Sequence, residues 1–317
     1  MTAHPRPTGV LTLAGGRRLA WDEHGPADGN PVFLMHGSPS CRVMWSGLAN
    51  AATATGTRLI VPDRPGCGRS THQPGRRLAD WPQDVAALAR HLGLERYQVV
   101  GLSGGGPYAL ACAAADARLA GTAVVNGIGP LDTPESIAGL YDTNRFVFEA
   151  AAKGPEALAP VVSQLIGVAG GGAAGGGGAG GGEAGGGGAG GGGNRSLAAM
   201  LAGMSPEDRA NAAAHPELLA DTLDMSETAA GGIEGVTHDL WLSVQPWGFG
   251  LEDIVGPVDF FASDHDRNVP VRHALDQAER VPHSTLTVWP GTGHSHAFIR
   301  LPEVLRRLRT RLPDHRP

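Results

Sequence analysis

The sequence predicts an α/β protein built on a mostly parallel sheet with one large insertion. Its short apolar runs are continuous rather than alternating, which is the pattern of strands covered on both faces. Segments of helical periodicity separate those runs. A third feature is an interval, residues 131–251, that is helix-rich and strand-poor and interrupts the rhythm. With 317 residues, 41% of them hydrophobic and 18% charged, the chain is long and apolar enough for a full core.

In chain order, Leu19 to His24 reads as an early strand, Val32 to Met35 as a buried one, Arg58 to Pro62 as the next and Tyr97 to Leu102 as the fourth. Between the last two, Trp81 to Leu92 carries Val85, Leu88 and Leu92 at helical spacing, with Asp80 as its N-cap. A helix from Gly104 through Ala115 and a strand from Thr122 to Val125 follow. After the interval the alternation returns with Pro257 to Ala262 as a strand, Val271 to Arg280 as a helix and Ser284 to Trp289 as a strand. A C-terminal amphipathic helix runs through Val304, Leu305 and Leu308. Residues 1–130 and 252–317 are thus expected to form the core and 131–251 a cap. Within the cap, 170–193 is almost all Gly and Ala, broken only by Glu183, a composition with no side chains to bury.

Composition narrows the function. No apolar stretch approaches the roughly 20 residues a bilayer requires, and the opening MTAHPRPTGVLTL lacks a secretory leader's basic start and apolar stretch. A cytoplasmic protein without a membrane partner is expected. The formal net charge of −6 and the absence of a long basic run argue against nucleic acid. Cys41, Cys67 and Cys112 are odd in number and unpaired in spacing, so a disulfide framework or a four-cysteine metal site is not expected. Lys153 is the single lysine among 25 basic residues, which disfavours lysine-nucleophile chemistry.

The sharpest chemical signal is GLSGG, Gly101 to Gly105, which fits G-x-S-x-G. In so glycine-rich a chain about 0.3 such matches arise by chance, so its context carries the specificity. A buried strand precedes Ser103 and a helix follows it. That places the hydroxyl on a strained strand-to-helix turn, with glycines at 101 and 105 sparing the neighbouring strand and helix a collision. The Gly104 N–H then points toward a reacting carbonyl at the positive end of the helix. Gly104, Gly106 and Ala109 also satisfy a dinucleotide fingerprint, but the next strand ends in Asn126 rather than the acid a ribose requires.

A hydroxyl nucleophile needs a base, and the base an orienting carboxylate. The segment ASDHDRNVP follows one late strand and GTGHSH the next, which offers Asp266 ahead of Asp264 and His294 ahead of His296. Each residue has a plainer reading: Ser103 as a turn residue, Asp266 as a helix cap, His294 as a loop histidine. HGSPS, His36 to Ser40, ends the second strand and supplies the Ser38 N–H as second oxyanion donor, with His36 bracing the loop.

Together, HGSPS, PDRPGCGRS (Pro62 to Ser70), GLSGGGPYAL, SDHDRNVP and GTGH resemble the α/β-hydrolase fold superfamily, in its branch of cap-bearing serine hydrolases. The resemblance covers residues 10–312 and matches the insertion poorly. It implies a mostly parallel eight-stranded sheet, a lid after the sixth strand and no cofactor or metal. It also implies Ser103 as nucleophile, His294 as base, Asp266 as acid, Ser38 and Gly104 as oxyanion donors, and structural roles for Asp63 and Arg64. Cys67 stands where relatives usually carry an aromatic residue. A serine at 103 departs from the epoxide hydrolases and haloalkane dehalogenases, which place aspartate there.

The expected activity is cleavage of a small-molecule ester or related acyl bond through an acyl-enzyme, rising with pH through the histidine titration near 6–7. C–C bond hydrolysis and acyl transfer would use the same serine. A non-catalytic binding protein of the same fold, or a metal hydrolase built on Asp264, His265, Asp266, His294 and His296, are the other classes. Tyr141, Phe146, Phe148, Trp241, Trp247 and Phe249 are candidate walls of an acyl pocket.

Overall fold

A computed structural model of the chain describes residues 7–167, 204–216 and 225–311. The Gly/Ala tract at 170–193 lies outside the described residues. Eight strands form one sheet: β1 (Gly9–Thr12), β2 (Arg18–His24), β3 (Asn30–Met35), β4 (Thr57–Pro62), β5 (Tyr97–Leu102), β6 (Leu119–Val125), β7 (Val258–Ser263) and β8 (Ser284–Trp289). Their order is β1-β2-β4-β3-β5-β6-β7-β8. β2 runs antiparallel to both β1 and β4, and every pairing from β4 to β8 is parallel.

Every residue of β5 and β7 is buried, whereas the edge strand β8 is partly buried or exposed up to its last residue, the buried Trp289. That contrast is what two covered faces and one free edge dictate. On one face pack α2 (Trp81–His91) and α3 (Gly106–Ala115), through Val85, Leu88, Ala109 and Leu110 against Phe33, Val99 and Phe260. The other face is covered by α1 (Ala49–Thr55) and the C-terminal helix His296–Arg309, through Ala52, Leu301, Val304 and Leu308 against Leu34, Val100 and Ala123.

Some boundaries differ from the sequence reading. β1 is an additional short edge strand, and β6 starts at Leu119, three residues before the expected start. Asp80 precedes α2 without capping it, because its carboxylate instead accepts the Arg77 N–H at 2.8 Å and closes the turn before the helix. The three cysteines are free and buried.

Between β6 and β7 the described residues carry helices only: α4 (Pro134–Ala138), α5 (Asp142–Ala152), α6 (Pro155–Ile166), α7 (Pro206–Ala214) and α8 (Ile233–Leu242). After β7 and β8 come α9 (Arg272–Arg280) and α10 (His296–Arg309). Helices α5, α6 and α8 share an apolar cluster that includes Val147, Phe148, Leu158, Val162, Val236 and Leu240. Among the described residues no helix is long and apolar enough to cross a membrane.

Candidate active site

Ser103 opens the three-residue 3-10 turn, Ser103–Gly105, between β5 and α3 with φ 54°, a left-handed value that a non-glycine residue adopts only under constraint. The flanking glycines explain how the chain tolerates it. A Cβ on Gly105 would lie 2.1 Å from the Met35 carbonyl oxygen of β3, and one on Gly101 would lie 2.7 Å from Ala109 Cβ of α3. Side chains at either position would push the corner off the sheet.

Across from this corner, the Ser38 loop touches Gly104. A methyl on Gly104 would come 2.8 Å from Ser38 Oγ and 3.0 Å from Ser38 N. The Gly104 N–H belongs to the first turn, where no carbonyl a turn earlier can receive it, and the Ser38 N–H donates to no backbone oxygen among the described residues. The Ser38 backbone packs directly against the residue that follows Ser103.

Asp266 and His294 meet at the ends of β7 and β8. His294 Nδ1 lies 2.6 Å from Asp266 Oδ2, and the Asp266 side chain is wholly buried. The other carboxylate oxygen accepts the N–H groups of Asn268 and Val269, which holds it in place. Burial lowers the affinity of His294 for a proton, but the charge and hydrogen bond of Asp266, aided by the charge of Asp208, outweigh it and leave the pKa raised above 6.5. The acid limb of any activity that needs neutral imidazole is displaced to higher pH than that of an unperturbed histidine.

The residues after β6 join the two halves of the site. Ile128 N–H donates to the Ser103 carbonyl at 3.1 Å, and Asn126 Nδ2 donates to the His294 carbonyl at 3.0 Å. Asn126 holds φ 44°, so this bridge is the second strained point of the rim. Ser103 Oγ itself makes no hydrogen bond to His294 among the described residues. Such contacts are often long in resting sites and tighten when substrate binds.

The other candidates fall elsewhere. Asp264 accepts the Thr292 N–H, His265 pairs with Glu207 at 2.9 Å, and the His296 ring meets Trp289 edge-on. Among the described residues, no three His, Cys, Asp or Glu side chains converge as metal ligands would. Of the aromatic candidates, Trp247 and Phe249 pack into the core cluster of the α2/α3 face, and Phe148 and Trp241 into the insertion's own cluster. Tyr141 and Phe146 alone among them are exposed, at 45% and 47%.

Beneath the Ser38 loop lies a buried ionic cluster in which Arg64, of the PDRPGCGRS motif, meets Asp239, which no sequence motif announces. Arg64 donates to both carboxylate oxygens of Asp239 in α8, at 2.9 and 2.8 Å, and to the carbonyl of Gly37. Arg76 and Tyr108 also donate to Asp239, and Ser38 Oγ–H closes on it at 2.7 Å. The two guanidinium groups hold the Asp239 carboxyl far below the usual carboxylate range in spite of its burial. His36 braces the same loop, with Nδ1 on the Gly37 carbonyl and Nε2 accepting the Arg64 N–H. Burial, with Arg64 beside it, keeps its pKa well down. Asp63 accepts two backbone N–H groups and Arg42, so Asp63 and Arg64 are structural. One local signal for Asp239 existed: it stands on the apolar face of α8, between Val236 and Leu240.

Residues 30–154 match the α/β-hydrolase fold family. The chain is 30% identical over 273 residues to the magnesium-chelatase 30 kDa subunit of Rhodobacter capsulatus, covering 83% of this chain and 80% of that protein. It belongs to the α/β-hydrolase fold family. A non-heme chloroperoxidase of Streptomyces lividans is 35% identical over 127 residues, an alignment that covers 39% of this chain and only 46% of the relative. A solved thermophilic esterase from Thermogutta terrifontis superposes with TM-score 0.62 at 23% identity, over 95% of this chain and 96% of that one.

Proposed function

We propose that the protein is a serine hydrolase that cleaves an ester or related acyl bond of a small molecule through an acyl-enzyme. The observation that carries this reading is the pairing of a positive-φ serine with a histidine bonded at 2.6 Å to a buried carboxylate, both tied to the segment after β6. With Nδ1–H donated to Asp266, the His294 Nε2 lone pair is free to take the Ser103 hydroxyl proton as Oγ attacks the carbonyl carbon. The oxyanion forms against the Ser38 and Gly104 N–H groups. Collapse breaks the bond to the leaving group, which takes the proton from His294. Water, deprotonated by the same imidazole, then releases the acid and restores Ser103.

In this reading residues 131–251 form a cap that selects substrate, and the exposed Tyr141 and Phe146 are its candidates for acyl contact. The test is a panel of phenyl esters of increasing acyl length, run beside fluorophosphonate labelling. Ser103→Ala is expected to abolish labelling and to lower ester turnover by roughly 10⁴–10⁶-fold while the protein stays folded. A variant that keeps most of the wild-type turnover overturns the assignment, and a wild type that neither labels nor turns over any ester makes the fold a binding scaffold here.

A further inference from the structure

Helix α7, the first element described after residue 204, begins against the loop that carries His294. Ser205 caps it by accepting the Asp208 N–H at 3.0 Å, and Pro206 occupies its first turn. By sequence alone Ser205 and Asp208 read as an ordinary capping pair. Asp208, however, is 2% exposed, and its carboxylate bridges the helix cap and the His294 loop. One oxygen accepts the His294 N–H at 3.1 Å and the Ser205 hydroxyl at 2.9 Å. The other accepts the Ser295 N–H at 2.7 Å and the Ser295 hydroxyl at 2.6 Å, while Asn211, one turn along α7, adds a contact to the same hydroxyl at 3.3 Å.

The glycine before His294 is shaped for this contact. A Cβ on Gly293 would lie 2.5 to 2.6 Å from the carboxylate atoms of Asp208, and no other atom is as near. Gly293 has no left-handed backbone that would demand glycine for a different reason. The bare backbone and the buried acid are complementary, although 85 residues separate them.

Resting on the serine-hydrolase reading above, we propose that Asp208 is the positioning residue of His294: its carboxylate fixes the loop backbone, and its charge supports the imidazolium formed during attack. The charges around His294 are few. Asp266 faces Nδ1, and Asp208 sits behind the main chain. Glu207 and His265 pair with one another at the surface, and His296 is engaged by Arg300, itself paired with Glu303. Asp208 and Asp266 are thus the two unneutralised carboxylates next to the ring, and the pKa of His294 is raised by both.

The experiment measures the fluorophosphonate labelling rate of Ser103 as a function of pH. Asp208→Asn is expected to slow labelling at the pH plateau by roughly 10–100-fold, the usual effect of an imidazole displaced by a fraction of an ångström to an ångström. Its acid limb should also move to lower pH, because one negative charge beside the ring is gone. Asp208→Glu keeps the charge, so its limb stays near that of wild type while the plateau falls. Gly293→Ala, which leaves every acid in place but expels the carboxylate, is expected to repeat the Asp208→Asn pattern and serves where that variant does not fold. A limb that does not move in Asp208→Asn or Gly293→Ala overturns the proposal, whatever the plateau does. A wild type that is not labelled removes both this inference and the reading beneath it, whereas a labelled wild type with unshifted variants removes this inference alone.

Discussion

Helices α4 to α6, ahead of residue 167, meet the rest of the molecule mainly through apolar side chains, with one polar tie, Asn144 Nδ2 donating to the Asn268 carbonyl at 2.7 Å. Val147, Phe148, Leu158 and Val162 cluster with Cys41, Cys67, Val236 and Leu240. Helix α7, Glu227 and helix α8 add carboxylate contacts to the core, α8 doing so besides the apolar contacts of Val236 and Leu240. Asp208 bonds the His294 loop, Asp239 takes Arg64 and Arg76 beneath the Ser38 loop, and Glu227 bridges Arg42 and Arg69. The difference is one of tolerance. Apolar burial scales with area and survives changes of shape that conserve volume. A buried carboxylate fixes particular atoms at hydrogen-bond distance, and its loss leaves a charge without a partner. Among the described residues, the later half of the insertion is therefore tied to the Ser38 and His294 loops at particular atoms, and the earlier half is held chiefly by packing.

Asp239→Asn tests this contrast most severely. Removing the carboxylate strands two buried guanidinium groups, and about 3–5 kcal/mol of stability is expected to go with it. Urea unfolding would report that loss, together with slower fluorophosphonate labelling as the Ser38 loop relaxes. An unchanged midpoint and rate would place α8 among the merely packed elements. Leu158→Ala, in the earlier half and fully buried, should cost about 2–5 kcal/mol by the cavity it leaves. The folded variant should nonetheless label within about twofold of wild type; a rate loss as large as that expected of Asp208→Asn would erase the distinction between the halves. Glu207→Gln is the finest probe, because Glu207 neighbours Asp208 yet pairs with the solvent-exposed His265. Exposed pairs contribute little, so labelling and thermal midpoint should both stay at wild-type values. A Glu207 effect matching that of Asp208 would mean that α7 acts through its general field rather than through one carboxylate.

The sheet and the elbow were legible because their causes are local. Continuous apolar runs mark β3, β4, β5 and β7, and the glycines around Ser103 answer to atoms within a few residues of the same corner or on the neighbouring strand. Asp266 and His294 were readable from their places just after β7 and β8. Asp208 was not, because an acid in a helix's first turn looks solvated unless its distant partner is known, and Asp239 showed only in its place on the apolar face of α8. The partners of Asp239 stand 131 to 201 residues away. The same limit applies to the aromatics, because nothing local separates Trp247, which packs on the sheet, from a pocket wall. β1 escaped notice for a different reason: four residues at an edge, Gly9–Thr12, carry too little pattern to register.

The separation between Arg64 and Asp239, 175 positions, also has a consequence for biosynthesis. At synthesis rates of 5–20 residues per second, roughly 9–35 s pass between the appearance of the guanidinium and that of its counter-ion. During that interval a nascent chain can assemble β1 to β6, yet it must leave Arg64 and Arg76 hydrated and the Ser38 loop unset. The Ser38 loop is thus among the last features to mature, and a ribosome-bound fragment ending before α8 should hold much of the sheet without a set Ser38 loop.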